Sequence, residues 1–429
     1  VAPDTLHHRG SATGALRELA RAASVGELLD SAHAMWCGPT CHRDQACTFL
    51  HYPRARPAPG IPRTRRSPYN KDTADLFFLM GGEGYAPGTP TAHEMDFWSV
   101  LRPATALADR GAGARIDYTD WARKDDPTAA QIACCAARDA IQWTANWNGE
   151  RYAEQPAFLH YVALSTICDD LCIPPLDLVS GRFQLYGRSV GDVIAALEEQ
   201  GWGRDALHAL LALVRQYVFQ YAEKLDFARA GGSGGLHARL NEADGVWDAV
   251  LYRTHSANTY GCVIGAARLG RAGPCTTQWL LDSAICDAVS MDLCKSALDV
   301  YQHDLHQPTA DERRARRRET AYHSVYLDLI DDLVAGGAPD AVVHFGHAGF
   351  LFVQIQERYH ERRAGRRLPL RPALAERLGT LFGDEPVNSW TEQRFQAARA
   401  GGTANASARP VPSGPTGLGT SAVRLGRHG

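Results

Sequence analysis

Two adjacent carboxylates close an apolar, helix-length run. Residues 158–177 read F-L-H-Y-V-A-L-S-T-I-C-D-D-L-C-I-P-P-L-D, with Asp169 and Asp170 near the end of the run. Pro174-Pro175 then stops the helix, because proline lacks the N–H and clashes with the preceding turn. Carboxylates are hard oxygen ligands suited to Mg2+. At the end of an apolar helix they are costly unless something compensates their charge. The pair alone supports two readings, a solvated helix end or one wall of a divalent-metal site.

A second acidic stretch, 283–304, reads S-A-I-C-D-A-V-S-M-D-L-C-K-S-A-L-D-V-Y-Q-H-D. On a helix, Asp292, Ser296 and Asp299 fall within about 60° of one another, and so do Asp292, Lys295 and Asp299. Either set gives one helix face two carboxylates. Taken alone, it also fits an ordinary half-exposed helix. Arg253 leads into T-H-S-A-N-T-Y-G-C-V-I-G, and Arg358-Tyr359 ends the apolar stretch that starts at Phe345. Metals to neutralise and guanidinium groups to clamp are what a diphosphate site needs.

A third cluster lies near the start: Cys37, Cys41, Cys47 and His51. Its last three members are spaced like the closing ligands of a CCCH zinc finger, and three thiolates with an imidazole satisfy tetrahedral Zn2+. The Pro/Arg-rich tract 53–68 beside it reads as an extended arm. The other reading of the cluster is an extension that binds no metal.

The elements that must position these groups are helical. Apolar residues recur at helical spacing through 127–147, 159–171, 189–200, 206–225, 238–270, 279–305, 313–334, 341–363 and 370–382. Sustained period-2 alternation is missing. The fold class expected is all-α, with about ten or more helices in one large bundle. Residues 1–70 read as a largely irregular N-terminal extension, 71–382 as the helical domain, and 383–429 as a mostly disordered tail. The Gly-rich 81–84 lacks the Gly-Lys-Ser/Thr of a phosphate loop. Hydrophobic residues make up 45% and charged residues 22%, with a net charge of −3, so no overall bias toward nucleic acid or anionic membrane exists. Eleven cysteines, an odd number, suit buried apolar roles in a reducing compartment rather than a disulfide framework. No run is long enough to span a membrane.

The order of the aromatic helix, Asp169-Asp170-Leu171-Cys172, Arg253, M-D-L-C-K-S-A-L-D and Arg358-Tyr359 resembles the class I terpene synthases. Within them it is most similar to fungal trichodiene-synthase-like cyclases. The resemblance covers about 130–365. It implies the class I isoprenoid synthase fold, helices around an apolar cavity. It implies metal ligation by Asp169, Asp170, Asp292, Ser296 and Asp299, and diphosphate binding by Arg253, Lys295, Arg358 and Tyr359. Departures from the family pattern fall mainly in the second motif. Met291 stands where that motif carries Asn, Lys295 where it carries Ser, and Asp299 where it carries Glu; Ile173 occupies a frequently acidic place in the first. Lys295 then supplies a fixed positive charge in place of a metal, or Ser296 takes the ligand role.

The activity so implied is a carbon–oxygen lyase, a terpene cyclase that ionises a linear isoprenyl diphosphate with release of diphosphate. Farnesyl diphosphate and a sesquiterpene product are expected, with two or three Mg2+ ions, fewer if the second motif is impaired. Trp143, Trp147, Phe158, Tyr161, Tyr217, Phe219, Tyr252 and Phe352 could line the cavity, although core packing is the expected role of most. The basic run 313–318 reads as a solvated face. The chain is expected to be cytoplasmic, a monomer or homodimer, with no nucleic-acid partner. Two rivals stand beside this. One is a chain-elongating or head-to-head prenyltransferase using Asp331-Asp332 as its second motif. The other is a non-catalytic helical protein with a zinc- and RNA-binding arm.

Overall fold

A computed structural model describes residues 6–41, 49, 128–171, 173–229, 253–297, 325–326, 328–355 and 372–406. Among them the architecture is all-α, as expected. The helices are α1 (Ala12–Leu19), α2 (Val25–Cys37), α3 (Ala129–Asn148), α4 (Pro156–Leu171), α5 (Pro175–Val179), α6 (Val190–Glu199) and α7 (Arg204–Arg229). They continue with α8 (Thr259–Leu269), α9 (Thr277–Ala297), α10 (Asp340–Ile355), α11 (Pro372–Leu381) and α12 (Ser389–Ala406). A 3-10 turn, Gly149–Glu154, links α3 to α4. Only isolated bridges at Leu185 represent extended pairing among the described residues.

The starts of these helices follow local chemistry. Ser11, Ser24 and Ser189 each accept a hydrogen bond from a backbone N–H of the first turn. At α6, Asp192 returns the bond to the Ser189 N–H at 2.8 Å, closing a capping box. Pro175 opens α5 two residues after Ile173, where the missing proline N–H costs nothing.

Two glycine-dependent crossings set the centre of the bundle. A Cβ on Gly265 of α8 would fall inside the Phe158 ring of α4, and one on Gly261 would meet the Tyr161 hydroxyl. These glycines let α8 lie close against α4. Pairing 158 with 265 and 161 with 261 also shows that the two helices run antiparallel. In the other crossing, Ser283 Oγ donates to the Val342 carbonyl at 2.5 Å. Gly346 approaches Cys286, and Gly349 approaches Asp287 and Ser290. Residue numbers rise together there, so α9 and α10 run parallel.

The expected irregular extension is corrected for residues 6–41. Helices α1 and α2 bury Ala15, Leu19, Leu28, Leu29, Ala32 and Trp36 in the same core as the rest of the chain. Burial of those apolar faces, which the short amphipathic runs already carried, drives the docking. Polar ties complete it. Glu198 of α6 accepts from the Ala12 and Thr13 N–H groups at 2.5 and 3.2 Å, a carboxylate at a helix N-terminus. Arg204 donates to the carbonyls of Leu6 and His8.

The disordered-tail reading is likewise corrected for 383–406, which includes α12. Phe395 is buried, and Arg394 reaches Asp177 at 2.9 Å beside Arg182 at 3.1 Å. The Ala/Gly-rich end of α12 disguised this anchored first half. Residues 407–429 and the arm 53–68 lie outside the described residues. No described helix is long and apolar enough to cross a membrane.

Candidate active site

Helix α4 carries Asp169 and Asp170 on its last turn, ending at Leu171 ahead of the proline pair. Asp170 is 5% exposed. A carboxylate held there adds to the negative end of the helix dipole, so this position favours a compensating cation. Asp169 belongs to the turn after Ser165, whose hydroxyl donates to Gln216 of α7 at 3.0 Å.

Gln216 joins this end of α4 to the chain at Arg253. Its amide nitrogen donates to the carbonyls of Ser165 at 2.9 Å and Ser256 at 3.0 Å. Gln220 donates to the same Ser256 carbonyl at 3.0 Å. These amides satisfy a carbonyl released where the helical turn 253–256 ends. Arg253 starts that turn and is half-buried. The antiparallel register carries on from 161 beside 261 to 165 beside 256, so Arg253 arrives at the Asp169-Asp170 end of α4.

The sequence after Arg253 carries glycines where a helix could break. The break falls instead at Asn258, which has φ 54° and ψ 32°, a left-handed conformation that asparagine tolerates better than most residues. Asn258 Nδ2 donates to the Tyr161 hydroxyl at 2.8 Å, and that hydroxyl donates onward to the Ala209 carbonyl at 2.9 Å. Burial raises the Tyr161 pKa well above its usual range; Cys262 adds to the rise, while Asn258 and Arg215 oppose it. Tyr161 is thus a structural joint of α4, α7 and α8. Asn258, Gln216 and Gln220 were not singled out from sequence. The one local signal was an asparagine inside an otherwise helical run.

Helix α9 returns antiparallel to α8 after the short connection 270–276. Its last turns carry Asp292, Lys295 and Ser296, and they end at the same end of the bundle as Arg253. Helix α10, parallel to α9, also finishes there at Ile355. The backbone therefore gathers Asp169, Asp170, Arg253, Asp292, Lys295 and Ser296 at one end. Asp299, Arg358, Tyr359 and the basic run 313–318 lie outside the described residues.

Asp331-Asp332 is not part of this end. The helical segment 328–335 runs back along α9, with Gly336 against Trp279 at the α9 start. Asp332 also raises the Asp282 pKa, second to the effect of burial. Asp282 and Asp292 are roughly 15 Å apart along a helix axis. This geometry does not supply the second motif of the prenyltransferase rival.

Between the two ends, Asp287 is wholly buried on α9. Burial pushes its carboxyl well above the usual range; the Trp143 indole and the Gly349 backbone N–H pull it back. Neither of its oxygens meets a donor at full hydrogen-bonding distance and angle. The aromatic residues near it are packed core. Trp143 and Trp147 meet Phe345 with ring centroids 6.2 and 4.9 Å away, and the Tyr217 hydroxyl donates to the Leu164 carbonyl at 2.7 Å. Phe158 and Phe219 are buried too. Tyr252 and the Phe352 side chain lie outside the described residues.

An all-α bundle with two acidic helix ends and an arginine brought together at one pole defines a class I terpene-synthase-like protein. A family model described as alpha-humulene synthase matches residues 126–386. The chain is 30% identical over 275 residues to the alpha-humulene synthase eupE of Phoma sp, covering 63% of this chain and 70% of that protein. It is 26% identical over 317 residues to the alpha-humulene synthase asR6 of Sarocladium schorii, covering 71% and 70%. The chain belongs to the alpha-humulene synthase family, a fungal class I terpene-synthase-like family, and is a terpene cyclase of the lyase class.

Proposed function

We propose that this chain ionises farnesyl diphosphate and cyclises it to a sesquiterpene hydrocarbon, releasing diphosphate. The observation that carries the reading is the register that brings Arg253 and the ends of α4 and α9 to one pole. The names of the two relatives support a C15 substrate.

The donors at that pole fit Mg2+, being carboxylate and hydroxyl oxygens at helix ends where the dipole favours a cation. Asp169 and Asp170 would hold the metal from α4, and Asp292 and Ser296 from α9, with Asp299, beyond the described end of α9, as a further ligand. Mg2+ supplies charge neutralisation and polarisation of the diphosphate. Arg253, Arg358 and Tyr359 bind the diphosphate oxygens, with Lys295 as a further fixed charge. The apolar interior excludes water from the allylic cation left when the C–O bond breaks. Aromatic faces that reach the cavity stabilise that cation.

The test is incubation with geranyl, farnesyl and geranylgeranyl diphosphates and Mg2+, with diphosphate assay and GC–MS. Cyclic C15 hydrocarbons from farnesyl diphosphate are expected. Folded protein that turns over none of the three would overturn the proposal, and a preference for another chain length would overturn its substrate.

A further inference from the structure

We infer that His33, Cys37 and Cys41 form a binding site for a thiophilic divalent metal, Zn2+, on the N-terminal layer of the fold. The ligand atoms of these three residues all lie within 4.8 Å of one another. Around a tetrahedral Zn2+ with Zn–S near 2.3 Å and Zn–N near 2.1 Å, neighbouring ligand atoms are roughly 3.6–3.8 Å apart. Closing from the observed spacing needs only small side-chain movements. The site differs from the spacing-based expectation, which joined Cys37 and Cys41 to Cys47 and His51. The latter two lie outside the described residues, and His33 went unnoticed as a ligand.

The geometry has a simple origin. His33 and Cys37 are four residues apart, hence on one face of α2, in its final turn. Gly38 then takes φ 90° and ψ 158°, turning the chain off the helix. The Cys41 N–H donates to the Gly38 carbonyl at 3.3 Å, and this bond curls Cys41 back toward Cys37. Neither cysteine is in a disulfide.

Electrostatics favour the same ion. The site sits at the C-terminus of α2, where the last turn holds no basic residue and the dipole attracts a cation. Two thiolates and a neutral imidazole exactly balance the charge of Zn2+, which suits a buried His33 and half-buried cysteines. Soft sulfur with imidazole selects Zn2+ over the Mg2+ of the candidate active site. Water completes the fourth position.

The site also has structural work to do. The His33 ring stands edge-on to Phe49, 5.7 Å between centroids. Phe49 and Trp36, edge-to-face with their centroids 5.5 Å apart, both lie against the buried Arg215, whose guanidinium carbon is 5.3 Å from each ring centre. Arg215 donates to the Phe49 carbonyl at 2.6 Å. A metal on His33, Cys37 and Cys41 fastens the α2 end beside that assembly.

The test strips the full-length, reduced chain with a chelator and titrates Co2+. One Co2+ per chain with a thiolate-to-cobalt charge-transfer band, displaced by Zn2+, is expected. Cys37→Ser and Cys41→Ser should each weaken binding at least tenfold, and Cys134→Ser should not. Zn2+ should also protect Cys37 and Cys41 of the unmutated chain from alkylation, read by peptide mass spectrometry, which needs no variant to fold. The inference is overturned if folded wild type shows no charge-transfer band, or if the band survives in the double Cys37→Ser/Cys41→Ser variant. Equal alkylation of both cysteines with and without Zn2+ overturns it as well.

Discussion

The two ends of α9 are both acidic, yet only one comes to the pole where we propose the chemistry. At its start, Asp282 accepts from Gln278 at 2.9 Å and sits in the field of Asp332. The buried Asp282 carboxyl and the half-buried Asp332 oppose one another in charge. At its finish, Asp292 and Ser296 come to the pole that also receives Asp170 and Arg253. Carboxylates alone therefore do not make a diphosphate site. Helix direction decides which of them come to the pole of Arg253, and here the glycine crossings set direction.

Removing one acid from each pole tells the two apart. Asp170→Asn should lower turnover about 100- to 1000-fold, the scale seen when a group stabilising developing charge is lost. Asp331→Asn should leave turnover within about threefold, because it acts at the other end of α9. Diphosphate release under saturating substrate measures both. Equal losses would show that the poles are not functionally distinct.

Acid titration separates activity from stability. Burial lowers the His160 pKa to about 4; the Leu185 carbonyl, bonded at 2.5 Å, opposes the shift, Arg188 adds to it and Asp192 opposes it. The folded chain thus binds fewer protons than the unfolded chain between about pH 4 and 6.5. Stability is full above 6.5 and declines as pH falls to about 4, by roughly 3 kcal/mol from this group. His160→Gln should flatten that decline in urea unfolding while leaving turnover at neutral pH in place.

Gly265→Ala tests the register itself. The added methyl overlaps the Phe158 ring, and overpacking of this kind costs about 1–3 kcal/mol. A lower urea midpoint is expected. Phe158→Leu should restore part of it by vacating the ring edge. An unchanged midpoint in Gly265→Ala would mean that the crossing is looser than described, and with it the placement of Arg253.

Much of this was legible in sequence. The α4 run, its aspartates and its proline stop were readable because each rests on local chemistry. The all-α class followed from periodicity alone. Docking of α1 and α2 was not readable, since their apolar faces are short and their partner, α7, lies far along the chain. His33 was hidden for a similar reason: helical spacing marks it as a core residue until Gly38 folds Cys41 back. The break at Asn258 depends on Tyr161, Gln216 and Gln220, contacts that no window of sequence contains. The far placement of Asp331-Asp332 likewise required the direction of 328–335 against α9.

Asp287 lies between the poles and gives the smallest of the expected effects. Its folded pKa is raised by burial, so its contribution to stability is fully present below the ordinary carboxylate pKa and is lost as pH rises through the folded value. Asp287→Asn keeps the shape and removes the charge. At pH 8 the variant should match or exceed wild type in stability by about 1 kcal/mol, and near pH 4 the two should converge. Urea unfolding at the two pH values measures this. A variant clearly less stable at pH 8 would mean that the ionised carboxylate is compensated in the core, by the Trp143 indole and the Gly349 N–H. Asp287 would then resemble the charge-tolerant pole more than the opposed acids at the start of α9.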